Sequence, residues 1–241
     1  MIDFFKTIIY TPLYNFLIFI IDTFSVDAGV AAVILVVLVK FVLYPLTKKT
    51  VVTQAKMKEK EGELNAIKEK YKDSQEQALK VMEFYKTNKI NPLSSVFALL
   101  IQIPVVFSLY YIFFKSGLPL VDMNLLYSFV HAPESISMVF LGILDVSQKS
   151  FLLAALAAAS TYWQMSSANP TSVGDSKTSS TAEEFSKMMS KQMKYVMPGV
   201  VFFISWQISG IVALYWFVSN IVSVLQDMYI KRGLVANPKN P

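Results

Sequence analysis

The chain has no cysteine, one histidine (His131), one arginine (Arg232) and few charges of either sign, 16% of its residues. Without Cys it forms no disulfide, no thiolate metal site and no Cys nucleophile, and the sequence given holds no Cys to lipidate. A lone His cannot by itself build a zinc site or a Ser–His pair, and His131, set between apolar runs, reads as a surface-loop residue. Arg is the usual reader of base edges, so a balance of +5 carried almost wholly by Lys argues against specific nucleic-acid readout. No Gly-rich phosphate loop is visible, and no cofactor or metal is expected. What the chain has is apolar length. With 54% apolar residues and a positive mean hydropathy it falls in the membrane class, its charges clustered between long apolar runs.

Five of those runs read as core spans of an all-α polytopic membrane protein. H1 covers 28–49 and ends in Pro45 and Lys48–Lys49. H2 covers 91–114, with Asn91 as cap, Pro92 at the first helical position and Pro104 permitting a kink. H3 covers 150–167, and H4 (194–208) and H5 (209–230) form a tight hairpin about Ser209-Gly210. Residues 1–27 read as an interfacial amphipathic helix. Ile8, Leu13, Phe16, Leu17 and Ile20 lie on one face, with Tyr10, Tyr14, Asn15 and Asp22 on the other. A sixth span or an uncleaved signal anchor is the alternative. The polar segment 50–90 reads as a mobile helical hairpin outside the membrane. Its first helix turns Met57, Leu64 and Ile67 toward Leu79 and Met82 of the second, which a Ser74–Gln77 capping box opens. Residues 115–149 read as a loop with short surface helices, 168–193 as a Ser/Thr-rich loop and 231–241 as a tail. Lys crowds the 48–89 segment, the H3–H4 link and the tail, so the positive-inside rule makes these cytoplasmic and the N-terminus external.

Lys40 is the most informative residue. It interrupts the otherwise apolar run Ala28–Leu46, whose length of about 28 Å suffices to cross a hydrocarbon core. A cation there costs roughly 2.5–3.5 kcal/mol on insertion scales, so protein, water or a ligand must receive it. Snorkelling to the nearer face is the plain alternative. H2, H3 and H4 carry no acidic residue, which leaves Asp227 as the ionic partner within the spans and otherwise implies water access.

Four stretches carry a resemblance to a known family. VKFVLYPLTKKT at 39–50, FYKTNKINPLSSVFALLIQIPVVFSLYY at 84–111, and MKYVMPGVVFF at 193–203 with SGIVALYWFVSN at 209–220 together resemble the YidC-type membrane protein insertases, relatives of the Oxa and Albino proteins. The resemblance covers nearly the whole chain. It implies five core spans, a cytoplasmic hairpin, an interfacial helix and a positively charged hydrophilic groove open to cytoplasm and lipid. Lys40 stands where the family's groove cation stands, although that residue is usually Arg; Lys keeps the charge and loses the bidentate fork. Carried over with it are Gln102 on H2, Gln164 on H3, and Tyr215, Trp216 and Asn220 on H5, for each of which ordinary helix packing is the competing explanation. The resemblance implies a bacterial cell membrane location and nascent membrane proteins as partners beside the lipid bilayer. The ribosome and a Sec-type translocon are further candidates. The sequence given has no large extracytoplasmic domain before H1 and only three basic residues after H5, which weakens the expectation of ribosome contact.

The function expected is therefore an insertase and not an enzyme. The groove takes up client segments, Lys40 draws in an acidic tail, and the client helix leaves sideways past H2 and H4. An intramembrane Ser–Lys hydrolase, with Lys40 as base and Ser108 or Ser219 as nucleophile, is an alternative of another class. A small-solute transporter is a second, without visible inverted repeats to support it.

Overall fold

The apolar run of H1 stays helical until proline interrupts its backbone ladder. The computed structural model describes residues 6–91, 104–105, 107–108, 110–115, 118–167 and 181–236. A π-helical turn at Lys6–Tyr10 leads into α1, Thr11–Phe24, and α2 is Ala28–Val42. Asp27 opens α2 by accepting the Val30 N–H at 2.9 Å. Pro45 has no N–H to continue the ladder, and the Leu43 carbonyl instead accepts the Leu46 and Thr47 N–H groups, both at 3.0 Å. The axis turns by 59° into α3, Tyr44–Glu59. The single helix expected over 28–49 is thus two.

The chain is mostly helical, with candidate membrane spans. Among the described residues, Lys6–Phe24 and Gly210–Ala236 are long and apolar enough to cross a membrane, and the bent α2–α3 pair is a third if taken as one span. Residues 92–103 of the expected H2, Gln102 among them, lie outside the described residues.

Beyond α3, α4 (Glu61–Lys70) turns back at Tyr71–Asp73 into α5 (Ser74–Thr87). The expected cap is off by one residue. Asp73 accepts the Gln75 and Glu76 N–H groups at 3.0 and 2.9 Å, while Gln77 Nε2 donates to the Lys68 and Tyr71 carbonyls and closes the turn. Asp outcompetes Ser here because its carboxylate receives two amides at once and sits at the positive helix end. The facing stripe also differs. Leu79 and Met82 are 67% and 56% exposed, and the buried apolar residue of α5 is Phe84. The exposed Lys60–Glu63 and Lys80–Glu83 pairs decorate this hairpin and contribute little.

Three long helices complete the bundle: α6 (Phe151–Ser167), α7 (Thr181–Ile208) and α8 (Gly210–Ala236). Helix α7 begins inside the stretch expected to be a loop, because after Ser179-Ser180 the segment is rich in Ala, Glu, Lys and Met, good helix formers. Helix α8 is central, packing on α2, α3, α6 and α7. Buried Ala154 and Ala157 give α6 a small-residue face that lets backbones approach.

The 118–150 segment is more built than a loop with surface helices. It holds a 3-10 turn at Met123–Leu125 and a two-stranded antiparallel hairpin, β1 (Val139–Phe140) with β2 (Leu144–Asp145). This cap grips three elements. Tyr14 Oη accepts the Asp122 N–H at 2.8 Å; Asn15 Nδ2 donates to the Leu125 carbonyl at 2.7 Å and Asn15 Oδ1 accepts the Tyr127 N–H at 2.6 Å. Phe140 lies so close to Gly29 of α2 that a Cβ there would meet its ring at 2.5 Å. The α7–α8 turn is held by Gly210 N–H to the Gln148 carbonyl (2.7 Å) and Ile211 N–H to the Val146 carbonyl (2.8 Å). A side chain at Gly210 would press on this backbone, with Val146 Cα at 3.1 Å. Outside the helices, the Ser147 hydroxyl and amide both donate to Asp145 and hold its carboxyl below the usual range. Tyr10, Tyr14 and Asn15, assigned from sequence to the polar face of the first helix, are buried: the cap's backbone takes up the polar atoms of Tyr14 and Asn15, and Tyr10 packs its ring against Tyr14 and Tyr111.

Candidate functional site

Helix α8 carries a row of polar residues at three- and four-residue spacing, Ser219, Asn220, Ser223, Gln226 and Asp227, along one side of an otherwise apolar helix. Helix α2 crosses that row near its last turn. There the Lys40 amine donates to Ser223 Oγ at 2.8 Å, and Gln226 Nε2 donates to the Lys40 backbone carbonyl at 3.0 Å. The second bond reaches a carbonyl of the last turn of α2, where helix carbonyls look for donors beyond the ladder. Asp227, a residue further on, is electrostatically coupled to both Lys40 and Lys231, and Lys231 donates to the Ser167 carbonyl at the end of α6 at 2.6 Å.

Two cavities meet at Tyr215. The smaller is lined by Lys40, Leu35, Val36, Val39 and Tyr215 with Leu13 and Val105, and offers about 10 Å³, close to one water-sized sphere. The larger, about 320 Å³, is apolar: Phe107, Tyr110 and Phe113 face Ile204 and Ile208 of α7 and Ile211, Val212, Tyr215 and Trp216 of α8 across it, with Ala32 of α2. A cation and an apolar chamber therefore share one aromatic wall.

Of the residues singled out from sequence, Lys40, Tyr215 and Trp216 come together around these cavities. Asn220 turns away: its Nδ2 donates to Ser160 Oγ at 3.0 Å and Thr161 Oγ1 at 2.8 Å, clamping α8 to α6 in the manner of an interhelical packing residue. Gln164 is half-buried on α6, and Gln102 lies outside the described residues. Ser108 donates to the Pro104 carbonyl at 2.9 Å, so the hydroxyl beside Lys40 is Ser223. Ser223 and Gln226 were missed, although the polar row was visible; attention to acidic partners passed over neutral ones.

A family model described as 60Kd inner membrane protein matches residues 19–237. A protein named membrane protein insertase YidC from Clostridium perfringens is 32% identical over 227 residues, covering 93% of this chain and 87% of that one. The protein of that name from Fusobacterium nucleatum is 30% identical over 230 residues, covering 93% and 98%. The one from Marinobacter nauticus is 38% identical over 213 residues, covering 86% of this chain but 32% of its own. The chain thus spans nearly the full length of some relatives and about a third of longer ones.

Proposed function

Because the chain belongs to the YidC family of bacterial membrane protein insertases, we propose that it inserts client transmembrane segments through a positively charged, cytoplasm-facing groove centred on Lys40. The observation that carries this reading is the junction at Tyr215, where the cavity lined by Lys40 adjoins an apolar chamber between H2, α7 and α8. A client's acidic N-terminal tail is drawn to Lys40. At about 4 Å and an effective dielectric near 20, this attraction is worth about 4 kcal/mol. An Asp at the bilayer centre costs about 2.5–3.5 kcal/mol, so one cation offsets one acidic residue. The client's apolar segment then partitions into the chamber and leaves past H2 and H4, driven by roughly 25 cal/mol per Å² of apolar surface removed from water. The scheme needs no nucleotide and no catalytic residue.

In this reading five core spans surround the groove, with α4–α5 and the C-terminus cytoplasmic and the N-terminus outside, as the Lys distribution favours. The grip of Tyr14 and Asn15 on backbone at 122–127 supports an interfacial α1. Were α1 to cross the membrane, the loop paired to its middle would bring irregular backbone to mid-bilayer depth. Nascent membrane proteins are the partners, with the ribosome and a Sec-type translocon as further ones.

The Lys40–Ser223 contact also has the composition of a Ser–Lys hydrolase pair. Reconstituted insertion of a single-spanning client with an acidic tail separates the two. Lys40→Ala should impair insertion, while Lys40→Arg and Ser223→Ala should largely retain it. Loss of function in Lys40→Arg and Ser223→Ala alike would support the hydrolase and overturn the electrostatic groove.

A further inference from the structure

The β1–β2 turn breaks two ordinary preferences at once. Leu141 occupies it at φ 51°, a left-handed position that Gly or Asn adopts cheaply and a branched aliphatic residue does not. It is also 62% exposed, and its neighbour Ile143 is 83% exposed. These residues belong to an uninterrupted uncharged run, Met138–Leu144. In water such a turn would favour polar residues.

Its position says what covers it. Leu141 N–H donates to Asp27 Oδ2 at 3.1 Å, and Phe140 packs on Gly29, so the turn lies level with the first turn of α2 and not above it. A second marker sets the same level. Just after β2, Val146 and Gln148 hold the α7–α8 turn, beside which Phe151 meets Phe202 and Trp206 edge-on with ring centroids 5.3 and 6.3 Å away. Exposed Trp and Phe at a helix end are the signature of the membrane–water boundary.

We propose that the β1–β2 turn, with Leu141 and Ile143 at its tip, inserts into the headgroup–acyl boundary of the leaflet on the cap side and anchors the cap to lipid. The partner is the bilayer surface itself, bound through apolar contact without need of a charged headgroup. The anchor is separate from the insertase reading and requires only that the chain sit in a membrane.

The chain has no Cys, so single Ile143→Cys and Glu134→Cys variants of the full chain can carry an environment-sensitive fluorophore in phosphatidylcholine nanodiscs. Glu134, charged and exposed in the same cap, is the aqueous reference. The label at 143 should emit further to the blue, be quenched by lipids bearing a nitroxide near the headgroup, and resist iodide; the label at 134 should show the reverse. Leu141→Cys should repeat the result at 143 and guards against a local effect of one substitution. Equal iodide quenching at 143 and 134 would overturn the proposal. Protection of 143 from both quenchers would also overturn it, assigning the tip to a protein partner.

Discussion

At the scale of single residues, Lys40 is fixed by side chains of helix α8. Ser223 accepts from its amine and Gln226 caps its carbonyl, so helix α8 holds the residue in place from both its ends, with Asp227 acting on it electrostatically. The electrostatic role proposed for Lys40 requires a cation fixed in this way. The sequence made Lys40 conspicuous because one charge stands in a long apolar run; its partners were not, because Ser and Gln occur in spans as ordinary packing residues. Close approach is likewise invisible from sequence. Gly29 looks like any small residue of a membrane helix, yet a methyl group there would stand 2.5 Å from the Phe140 ring. Gly29→Ala should therefore destabilise the protein by about 1–3 kcal/mol through forced repacking. Thermal unfolding in detergent should show it, and adding Phe140→Ala should recover much of the loss.

Elements were legible where hydrophobic periodicity is long and were misread where polar residues carry the packing. The α1 face is the clearest case: Tyr14 and Asn15 looked like a wet side and prove to be the docking side, because the cap's backbone needs donors and acceptors. In the α4–α5 hairpin the cap of α5 is Asp73, one residue before the Ser74 that the capping box pointed to. Asp73→Ala should cost about 1 kcal/mol of local stability and Ser74→Ala much less. Amide exchange across 74–80 would register the difference. The Leu43 bend shows how one proline decides direction, sending α3 off the α2 axis by 59°. With α5 packed mainly on α4 and only Phe84 of α5's apolar residues buried, the hairpin has a thin core. Its amides should exchange faster than those of α8, whose residues 210–215 are buried without interruption. Equal protection of the two would argue against a hairpin that opens as a unit.

At the scale of the whole molecule, the two ends of the bundle differ in kind. At the cap end, α1, α2 and the α7–α8 turn are tied to one segment by hydrogen bonds between 2.6 and 2.9 Å. At the other end α3 swings away from α2 and leads into the Lys-rich α4–α5 hairpin. The proposed insertase, closed outside and open toward the cytoplasm, would be built in this way; what the long apolar runs conveyed from sequence is a mostly helical membrane protein. The cap did not announce itself, since its Leu141-Gly142 turn lacks the Asn-Gly or Asp-Gly pair that marks such hairpins. The central claim is that Lys40 acts on the charge of the client. It is tested most directly by crossing wild-type and Lys40→Ala proteins with two clients that differ only in whether the N-terminal tail is acidic or neutral, and measuring insertion into proteoliposomes. The account predicts that neutralising the tail lowers insertion by the wild type and leaves insertion by Lys40→Ala nearly unchanged; the same fold-loss in both proteins would contradict it.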